Sequence, residues 1–169
     1  MRKHTVAAAM MAGLFCMPAA RAQEMNETER FAREYMEHYS AVDWDTMEGY
    51  LAEDVVFADP TAMGPDYGED GALYEGREAV MEALRSFSAS YNPIELGFEW
   101  DTVFESNGRV VFMGHVNALY PARTEGQNFR WRAEQVTVVT VRDGVVIRHD
   151  DYANFLFNLG FPFTILSTH

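Results

Sequence analysis

The stretch LAEDVVFADP, residues 51–60, marks the point at which the chain changes from a helical to an extended pattern. Leu51 completes a run of apolar residues at helical spacing, and the β-branched and aromatic residues that follow end at Asp59 and Pro60. Proline cannot donate a backbone hydrogen bond, and it favours an extended conformation for the residue before it. We therefore predict a first strand over residues 55–59, with the Asp59 carboxylate at its end and available for chemistry.

Two helices are predicted before this strand. Asn26, with Glu29 three residues later, is typical of a capping box and begins a helix over residues 26–42 that has one aromatic face. A short second helix follows. Its predicted buried residues are Trp44, Met47 and Leu51.

The chain after the first strand contains one more helix and two long hairpins. Residues 60–75 are rich in glycine, proline and acidic residues, which predicts a long loop. A third helix begins at Gly76, and an alternating apolar and polar pattern then turns at Asn107-Gly108 and again at Asp143-Gly144. These elements predict an α+β fold in which a strongly curved, mainly antiparallel sheet wraps around three helices.

The first 22 residues have the pattern of a cleavable secretory leader. A basic start at Arg2 and Lys3 precedes an apolar stretch and the small-x-small end Ala20-Arg21-Ala22. We predict a single mature domain over residues 23–169, in the periplasm or secreted. The apolar tail, residues 155–166, is too short to span a bilayer and is expected to close the open end of the sheet or to pack on a partner subunit.

The charge of the chain limits its partners and its chemistry. The formal net charge is −13, and it becomes −16 once the three basic residues of the leader are removed. Such an acidic domain lacks the basic footprint that nucleic acid binding requires. There is no lysine after Lys3 and no cysteine after Cys16. The mature domain therefore offers no disulfide, thiol nucleophile or Schiff-base amine.

Three stretches together resemble the nuclear transport factor 2-like superfamily: LAEDVVFADP, YEGREAV at residues 74–80 and RDGVVIRHDDY at residues 142–152. The likeness covers about residues 26–158 and is strongest to the SnoaL-like, ketosteroid isomerase-like and limonene epoxide hydrolase-like branches. It implies a cone-shaped sheet, an apolar pocket between helices and sheet, a small hydrophobic ligand and a homodimer. It also implies cofactor-independent acid–base chemistry of an isomerase, cyclase, dehydratase or hydrolase, although one fold hosts many activities.

The resemblance assigns roles to individual residues. Asp59 matches the proton-shuttling carboxylate of ketosteroid isomerases, and Tyr35 matches their oxyanion-binding tyrosine. Thr137 falls near their second oxyanion donor, a protonated carboxylic acid, and this departure argues against a true steroid isomerase. Asp151, directly before a tyrosine, matches an aspartate of the epoxide hydrolases.

The predicted strand that contains His115 and Asn117 differs from one branch of the superfamily and resembles another. The charged middle-strand pair of the epoxide hydrolases falls near His115 and Asn117, so that pair is not reproduced. The aspartate and nearby histidine of SnoaL-like cyclases are best matched by His115, His149 and Asp151.

Strand periodicity groups the same residues independently, because residues two apart share one face of a strand. The pairs are His115 with Asn117, Gln135 with Thr137, and His149 with Asp151. If these faces line the cone, two imidazoles and a carboxylate converge beside Tyr35 and Asp59. We predict these five residues as catalytic, and Asn117, Gln135 and Thr137 as ligand-binding. Burial would raise the pKa of a carboxyl group there towards neutral pH.

Simpler interpretations remain open for several of these residues. Asp59 is also compatible with a turn that bonds its own backbone, and His115 with an ordinary core histidine. Tyr35 is compatible with core packing that leaves its hydroxyl at the pocket wall. Asp150 and Asp151 face opposite sides, and we predict that Asp151 faces inward.

No metal or cofactor is predicted. The acidic residues of the 60–75 loop fit no calcium-binding pattern, and the histidines lack a third zinc ligand. A non-catalytic periplasmic module for ligand binding or dimerisation is the alternative function. In a third interpretation, Val136 and Val138 on the outer sheet face form a purely structural dimer interface.

Overall fold

The computed structural model describes residues 25–63 and 67–154, together with the backbone of residues 164–167. The predicted leader at residues 1–22 and residues 155–163 of the apolar tail lie outside the described residues. The start of the mature domain is therefore still a prediction.

The three predicted helices are confirmed. Helix α1, Glu27–Ser40, begins after Asn26, whose side chain accepts a 2.8 Å hydrogen bond from the Glu29 backbone N–H. Helix α2, Trp44–Glu48, begins after Asp43. Helix α3, Arg77–Tyr91, follows Gly76, and its C-cap residue, Asn92, adopts a left-handed conformation.

The strands form one mixed sheet. They are β1 Leu51–Asp59, β2 Ala72–Glu75, β3 Glu95–Ser106, β4 Arg109–Pro121, β5 Gln127–Arg142, β6 Val145–Ala153 and β7 Thr164–Ser167. Their order is β2-β1-β6-β5-β4-β3, with β7 beside the start of β5. Every pair is antiparallel except β1 with β6. The predicted α+β fold, with a curved and mainly antiparallel sheet packed on helices, is confirmed.

Two details of the region around β1 differ from the sequence-based prediction. The strand begins at Leu51, which pairs with Val146 of β6, so Leu51 does not belong to the buried face of α2. The loop predicted over residues 60–75 contains β2, whose Tyr74 pairs with Phe57 of β1. Gly71, directly before β2, has a φ of +73°, a conformation in which a side chain would be strained.

The two faces of the sheet have different surroundings. The inner face, defined as the face that packs against the helices, meets α1 through β3, β4 and β5, and meets α3 through β1 and β2. Phe112 and Val139 on this face, and Tyr35 and Met47 on the helices, are fully buried. The opposite, outer face carries charged residues such as Glu99 and Arg132 together with the exposed apolar residues Phe104 and Met113. Among the described residues, no helix is long and apolar enough to cross a membrane.

Candidate functional site

A cavity of about 330 Å³ lies between the inner face of the sheet, the helices and the segment that follows β1. Ten of its 21 lining residues are aromatic: Tyr39, Phe57, Tyr67, Tyr74, Phe87, Tyr91, Phe98, Tyr120, Phe129 and Trp131. Two carboxylates, Asp59 and Asp151, also line it, and no lysine, arginine or histidine does so among the described residues. A concave aromatic site with few polar groups is typical of small-molecule binding.

Asp151 is held on the inner face of β6 by three side-chain hydrogen bonds. Its Oδ1 accepts from Gln135 Nε2 at 2.8 Å and from the Thr137 hydroxyl, while its Oδ2 accepts from the Tyr39 hydroxyl at 3.2 Å. Only 5% of the residue is exposed, so these donors replace the water that an ionised carboxylate would otherwise require. Oδ2 has the single donor and is therefore the oxygen freer to accept a proton from a ligand.

His149 forms a second layer behind Asp151. Its Nε2 lies 3.0 Å from Asp151 Oδ1, in a contact too bent for a good hydrogen bond, and its Nδ1 lies 2.8 Å from the Tyr35 hydroxyl. Burial raises the pKa of Tyr35 far above its usual range, and the charge of Asp151 adds to the effect. The phenol of Tyr35 therefore keeps its proton, and its hydroxyl shares a hydrogen bond with Nδ1 that holds the imidazole ring beside Asp151.

The surroundings of Asp151 favour its ionised form. Burial by itself would raise the pKa of this carboxyl group. The facing His149, together with hydrogen bonds from Thr137 and Tyr39, outweighs burial and holds the pKa of Asp151 below its usual value. Asp151 is therefore a carboxylate that is ionised although it is buried.

Asp59 has the opposite character. Its Oδ1 accepts hydrogen bonds from the Thr61 backbone N–H at 2.9 Å and from the Thr61 hydroxyl at 2.6 Å. Burial raises the pKa of Asp59 and the charge of Asp151 raises it further, while the bonds from Thr61 act in the other direction. Two carboxyl groups in one cavity, with pKa values moved apart by their surroundings, is the arrangement that separates an acid from a base.

The structure brings most of the predicted site residues to this region. Asp59, Asp151 and Gln135 line the cavity itself. His149 and Thr137 lie behind Asp151 and contact it. The inward orientation predicted for Asp151 is confirmed, since its neighbour Asp150 lies on the outer face and binds Arg148 through two oxygens.

Tyr35 does not lie where an oxyanion-binding tyrosine would be needed. Its side chain is fully buried, is not part of the cavity wall and ends on His149. The residue that presents a hydroxyl to the cavity is Tyr39, one helical turn later. Residues four apart share a helix face, so the aromatic pattern of α1 contained this signal.

The predicted convergence of His115 and Asn117 with the cavity is wrong. On β4 they lie opposite Glu134 and Arg132 of β5, and residues that pair directly across strands point to the same face. That face is the outer one, because side chains alternate along β5 and Gln135 and Thr137 point to the inner face. Asn117 binds Glu99 and Arg130 there, and His115 Nδ1 lies 3.7 Å from Asp101 Oδ2.

No group of three histidine, cysteine, aspartate or glutamate side chains suited to a metal ion occurs in the described part of the chain.

The fold, with its aromatic cavity on the inner face, is that of the nuclear transport factor 2-like proteins. The family model for the SnoaL-like domain matches residues 32–149, and the chain belongs to this family. A search of curated proteins gave no match.

Solved structures confirm the fold. One is a candidate SnoaL-like polyketide cyclase from Shewanella putrefaciens CN-32, with 19% identity, a TM-score of 0.66, and coverage of 79% of this chain and 93% of that one. Another is a nuclear transport factor 2-like protein of unknown function from Burkholderia pseudomallei K96243, with 22% identity, a TM-score of 0.64, and coverage of 80% and 97%. At these identities the likeness concerns the fold.

The two carboxylates predict opposite effects of pH on stability. Because the pKa of Asp59 is raised on folding, its stabilising contribution is complete below the unfolded pKa of about 4 and is lost as the pH rises through the folded pKa. Because the pKa of Asp151 is lowered, its contribution is present above about 4 and is lost as the pH falls through the folded pKa.

We therefore expect Asp59→Asn to gain stability relative to the unsubstituted protein as the pH rises above about 4. Asp151→Asn should lose relative stability as the pH rises towards about 4 from below. Urea denaturation at a series of pH values measures both differences. Equal pH dependences for the two variants would contradict the assignment.

Proposed function

We propose that this chain binds a small, uncharged hydrophobic molecule in the aromatic cavity and catalyses a cofactor-independent proton shift on it. The observation that carries the proposal is the pair of carboxyl groups in one apolar cavity, Asp59 with a raised pKa and Asp151 with a lowered one. The class of reaction is isomerisation or cyclisation through an enol, which requires one group to remove a proton and another to supply one.

The charges of the cavity wall support an uncharged ligand. A carboxylate or phosphate on the ligand would meet Asp59 and Asp151 without a lysine, arginine or histidine on the described wall to pair with it. Burying an unpaired charge is costly, whereas an apolar ring system gains by contact with aromatic side chains. The ligand class is therefore a hydrophobic carbonyl compound with an acidic C–H bond next to the carbonyl.

In the proposed mechanism, Asp151 Oδ2 removes the proton from the carbon next to the carbonyl. The protonated form of Asp59 donates a hydrogen bond, and then its proton, to the carbonyl oxygen, which gives a neutral enol. Asp151 then gives its proton to a different carbon of the conjugated enol while the enol O–H returns its proton to Asp59, which completes an isomerisation and restores both carboxyl groups. Gln135, Thr137 and His149 keep Asp151 in place throughout.

Exchange with heavy water tests this proposal without knowledge of the natural substrate. Hydrophobic ketones of increasing ring number are incubated with the protein in D₂O, and NMR follows the loss of the proton signal next to the carbonyl. We expect accelerated deuterium incorporation for at least one ketone that fits a cavity of about 330 Å³. A panel in which every ketone binds and none exchanges faster than in buffer would refute the proton shift.

The alternative, a non-catalytic ligand-binding module, is favoured by one specific feature. Asp151 is already contacted by four side chains, as a purely structural buried carboxylate would be. Native mass spectrometry distinguishes the two functions. A retained hydrophobic compound that is chemically unchanged after prolonged incubation favours binding alone, and a converted compound favours catalysis.

We also propose that the protein is exported to the periplasm or the medium and forms a homodimer. The leader pattern of residues 1–22 supports export. Met113 and Tyr152, which are 43% and 42% exposed on the outer face, support contact with a second copy. An N-terminus at Met1 in the cytoplasm would contradict export, and sedimentation as a monomer at high concentration would contradict the dimer.

A further inference from the structure

The hydroxyl of Thr61 connects the two strand ends that carry the carboxylates. It donates a hydrogen bond to Asp59 Oδ1 at 2.6 Å, and it accepts one from the backbone N–H of Ala153 at 2.8 Å. A hydroxyl can donate and accept at the same time, which no apolar side chain of the same shape can do. Thr61 follows β1, and Ala153 is the last residue of β6. One side chain therefore ties the ends of both strands together.

The connection occurs where the sheet no longer provides one. The last described pair between β1 and β6 is Ala58 with Asp150, and Asp59 and Asp151 lie directly after it. Ala153 is two residues beyond Asp151 on the same strand. Thr61 therefore adds a link between these two strands beyond their last paired residues, next to both carboxylates.

The same contacts select which oxygen of Asp59 faces a ligand. Both hydrogen bonds from Thr61, from its backbone N–H and from its hydroxyl, end on Oδ1. No described side chain donates to Oδ2, and Asp59 belongs to the cavity wall. The carboxyl group is therefore held in one rotamer with Oδ2 available to a bound molecule.

We propose that Thr61 is a positioning residue for the proton shift, whose hydroxyl fixes Asp59 in place and orientation relative to Asp151. This inference rests on the proposed function for its catalytic consequence, but the positioning itself does not require turnover. Loss of the hydroxyl leaves Oδ1 with only the backbone N–H of residue 61, leaves the Ala153 N–H without its acceptor and allows Asp59 to move. Displacement of about 1 Å in a catalytic group lowers a rate by up to about 10²-fold.

A turn-forming role alone would give a different result. A short turn after an aspartate needs the Thr61 backbone N–H, which every substitution except proline retains. The hydroxyl bridge to Ala153 needs the side-chain oxygen. Variants that differ only in this oxygen therefore separate positioning from turn formation.

The experiment compares Thr61→Val, which lacks the hydroxyl, with Thr61→Ser, which keeps it. Thr61→Ala is the second hydroxyl-free variant if valine impairs folding. Thr102→Val is the matched control, because Thr102 lies in the exposed part of β3 and no side-chain hydrogen bond of its hydroxyl is described. Carboxyl-carbon NMR titration measures the pKa of Asp59, with its signal assigned from the spectrum of Asp59→Asn.

We expect the pKa of Asp59 to be higher in Thr61→Val than in the unsubstituted protein, because the Thr61 hydrogen bonds oppose the effect of burial. Deuterium exchange should fall about tenfold to a hundredfold, and the basic limb of its pH profile should move to higher pH. Thr61→Ser and Thr102→Val should behave as the unsubstituted protein does.

The outcomes distinguish this inference from the proposed function. An unchanged Asp59 titration in both Thr61→Val and Thr61→Ala would overturn the positioning role, whatever the activity. A shifted titration that serine restores, in a protein that exchanges no ketone, would support the positioning role and refute the proton shift.

Discussion

Asp151→Asn is expected to lower the rate of deuterium exchange by about 10²–10⁴-fold, the usual contribution of a positioned acid or base. Asparagine has nearly the same shape, but its amide cannot accept a proton from carbon at neutral pH. The exchange assay with the best ketone of the panel measures the effect. Affinity for that ketone should change little, because the aromatic wall of the cavity is untouched.

The control for this substitution is Asp150→Asn. Asp150 is the neighbour of Asp151, is also buried, and binds Arg148 on the outer face instead of lining the cavity. We expect Asp150→Asn to keep full exchange activity. A similar loss in both variants would show that any disturbance of β6 inactivates the site, and near-normal exchange in Asp151→Asn would remove Asp151 from the mechanism.

Asp151→Asn should also lose stability, so folding must be measured with activity. Its side-chain oxygen can still accept from Gln135 and Thr137, and its amide group can donate to the Tyr39 oxygen. The attraction between the carboxylate and His149 is lost. We expect a decrease of about 1–3 kcal/mol in the free energy of unfolding, which leaves enough folded protein to assay.

The sequence predicted the architecture well because each element carries its own local signal. The capping residues of α1, the alternating pattern of β3 and the Asn107-Gly108 turn act over a few residues. Two four-residue strands, β2 and β7, were missed. The first of them, β2, lies in a segment of glycines and acidic residues. Its strand conformation depends on pairing with β1, which is a long-range contact.

Strand periodicity was sufficient for β6 and insufficient for β4. A period of two residues identifies the side chains that share a face of a strand, but it does not identify which face is buried. On β6, either Asp150 or Asp151 had to point inward. On β4, the fully buried Phe112 identifies the inner face, and His115, three positions later, has the opposite parity. The apolar residues of β4, rather than His115, therefore indicated which face of the strand is buried.

The layer behind Asp151 could not be predicted from spacing. The contact between Tyr35 and His149 joins residues 114 positions apart, and the contact between Tyr39 and Asp151 joins residues 112 apart. Both depend on how α1 lies across the inner face, which is determined by packing in three dimensions. Resemblance to the family placed a tyrosine near the site, and the structure assigns the cavity hydroxyl to the next turn of α1.

Gly71→Ala should be strongly destabilising, because the backbone of residue 71 packs directly against the backbone of Asp59 and Pro60. A Cβ atom on residue 71 would lie 2.3 Å from the backbone oxygen of Asp59 and 2.7 Å from backbone atoms of Pro60. These atoms belong to the backbone and cannot rotate away as a flexible side chain would. Either β2 separates from β1 or Asp59 moves.

Gly144→Ala provides the matched control for the strain of the backbone itself. Gly144 has a φ of +76°, close to the +73° of Gly71, and a Cβ there would meet nothing within 4 Å. Its substitution should therefore cost only the left-handed conformation of alanine, about 1–2 kcal/mol. Gly71→Ala adds an overpacking cost of about 1–3 kcal/mol and, by displacing Asp59, should also reduce deuterium exchange.

Urea denaturation measures the free energy of unfolding of both variants. The difference between them is the cost of the close approach at residue 71, because the backbone strain is common to both. The strand β2 pairs with the end of β1 that carries Asp59. A greater loss of stability in Gly71→Ala than in Gly144→Ala, together with slower deuterium exchange, would therefore show that the packing at Gly71 positions Asp59 in the cavity. Equal losses of stability in Gly71→Ala and Gly144→Ala would mean that β2 can separate from β1 at little cost in free energy. In that case β2 would not determine the position of Asp59, which would depend on the bridge through Thr61 alone.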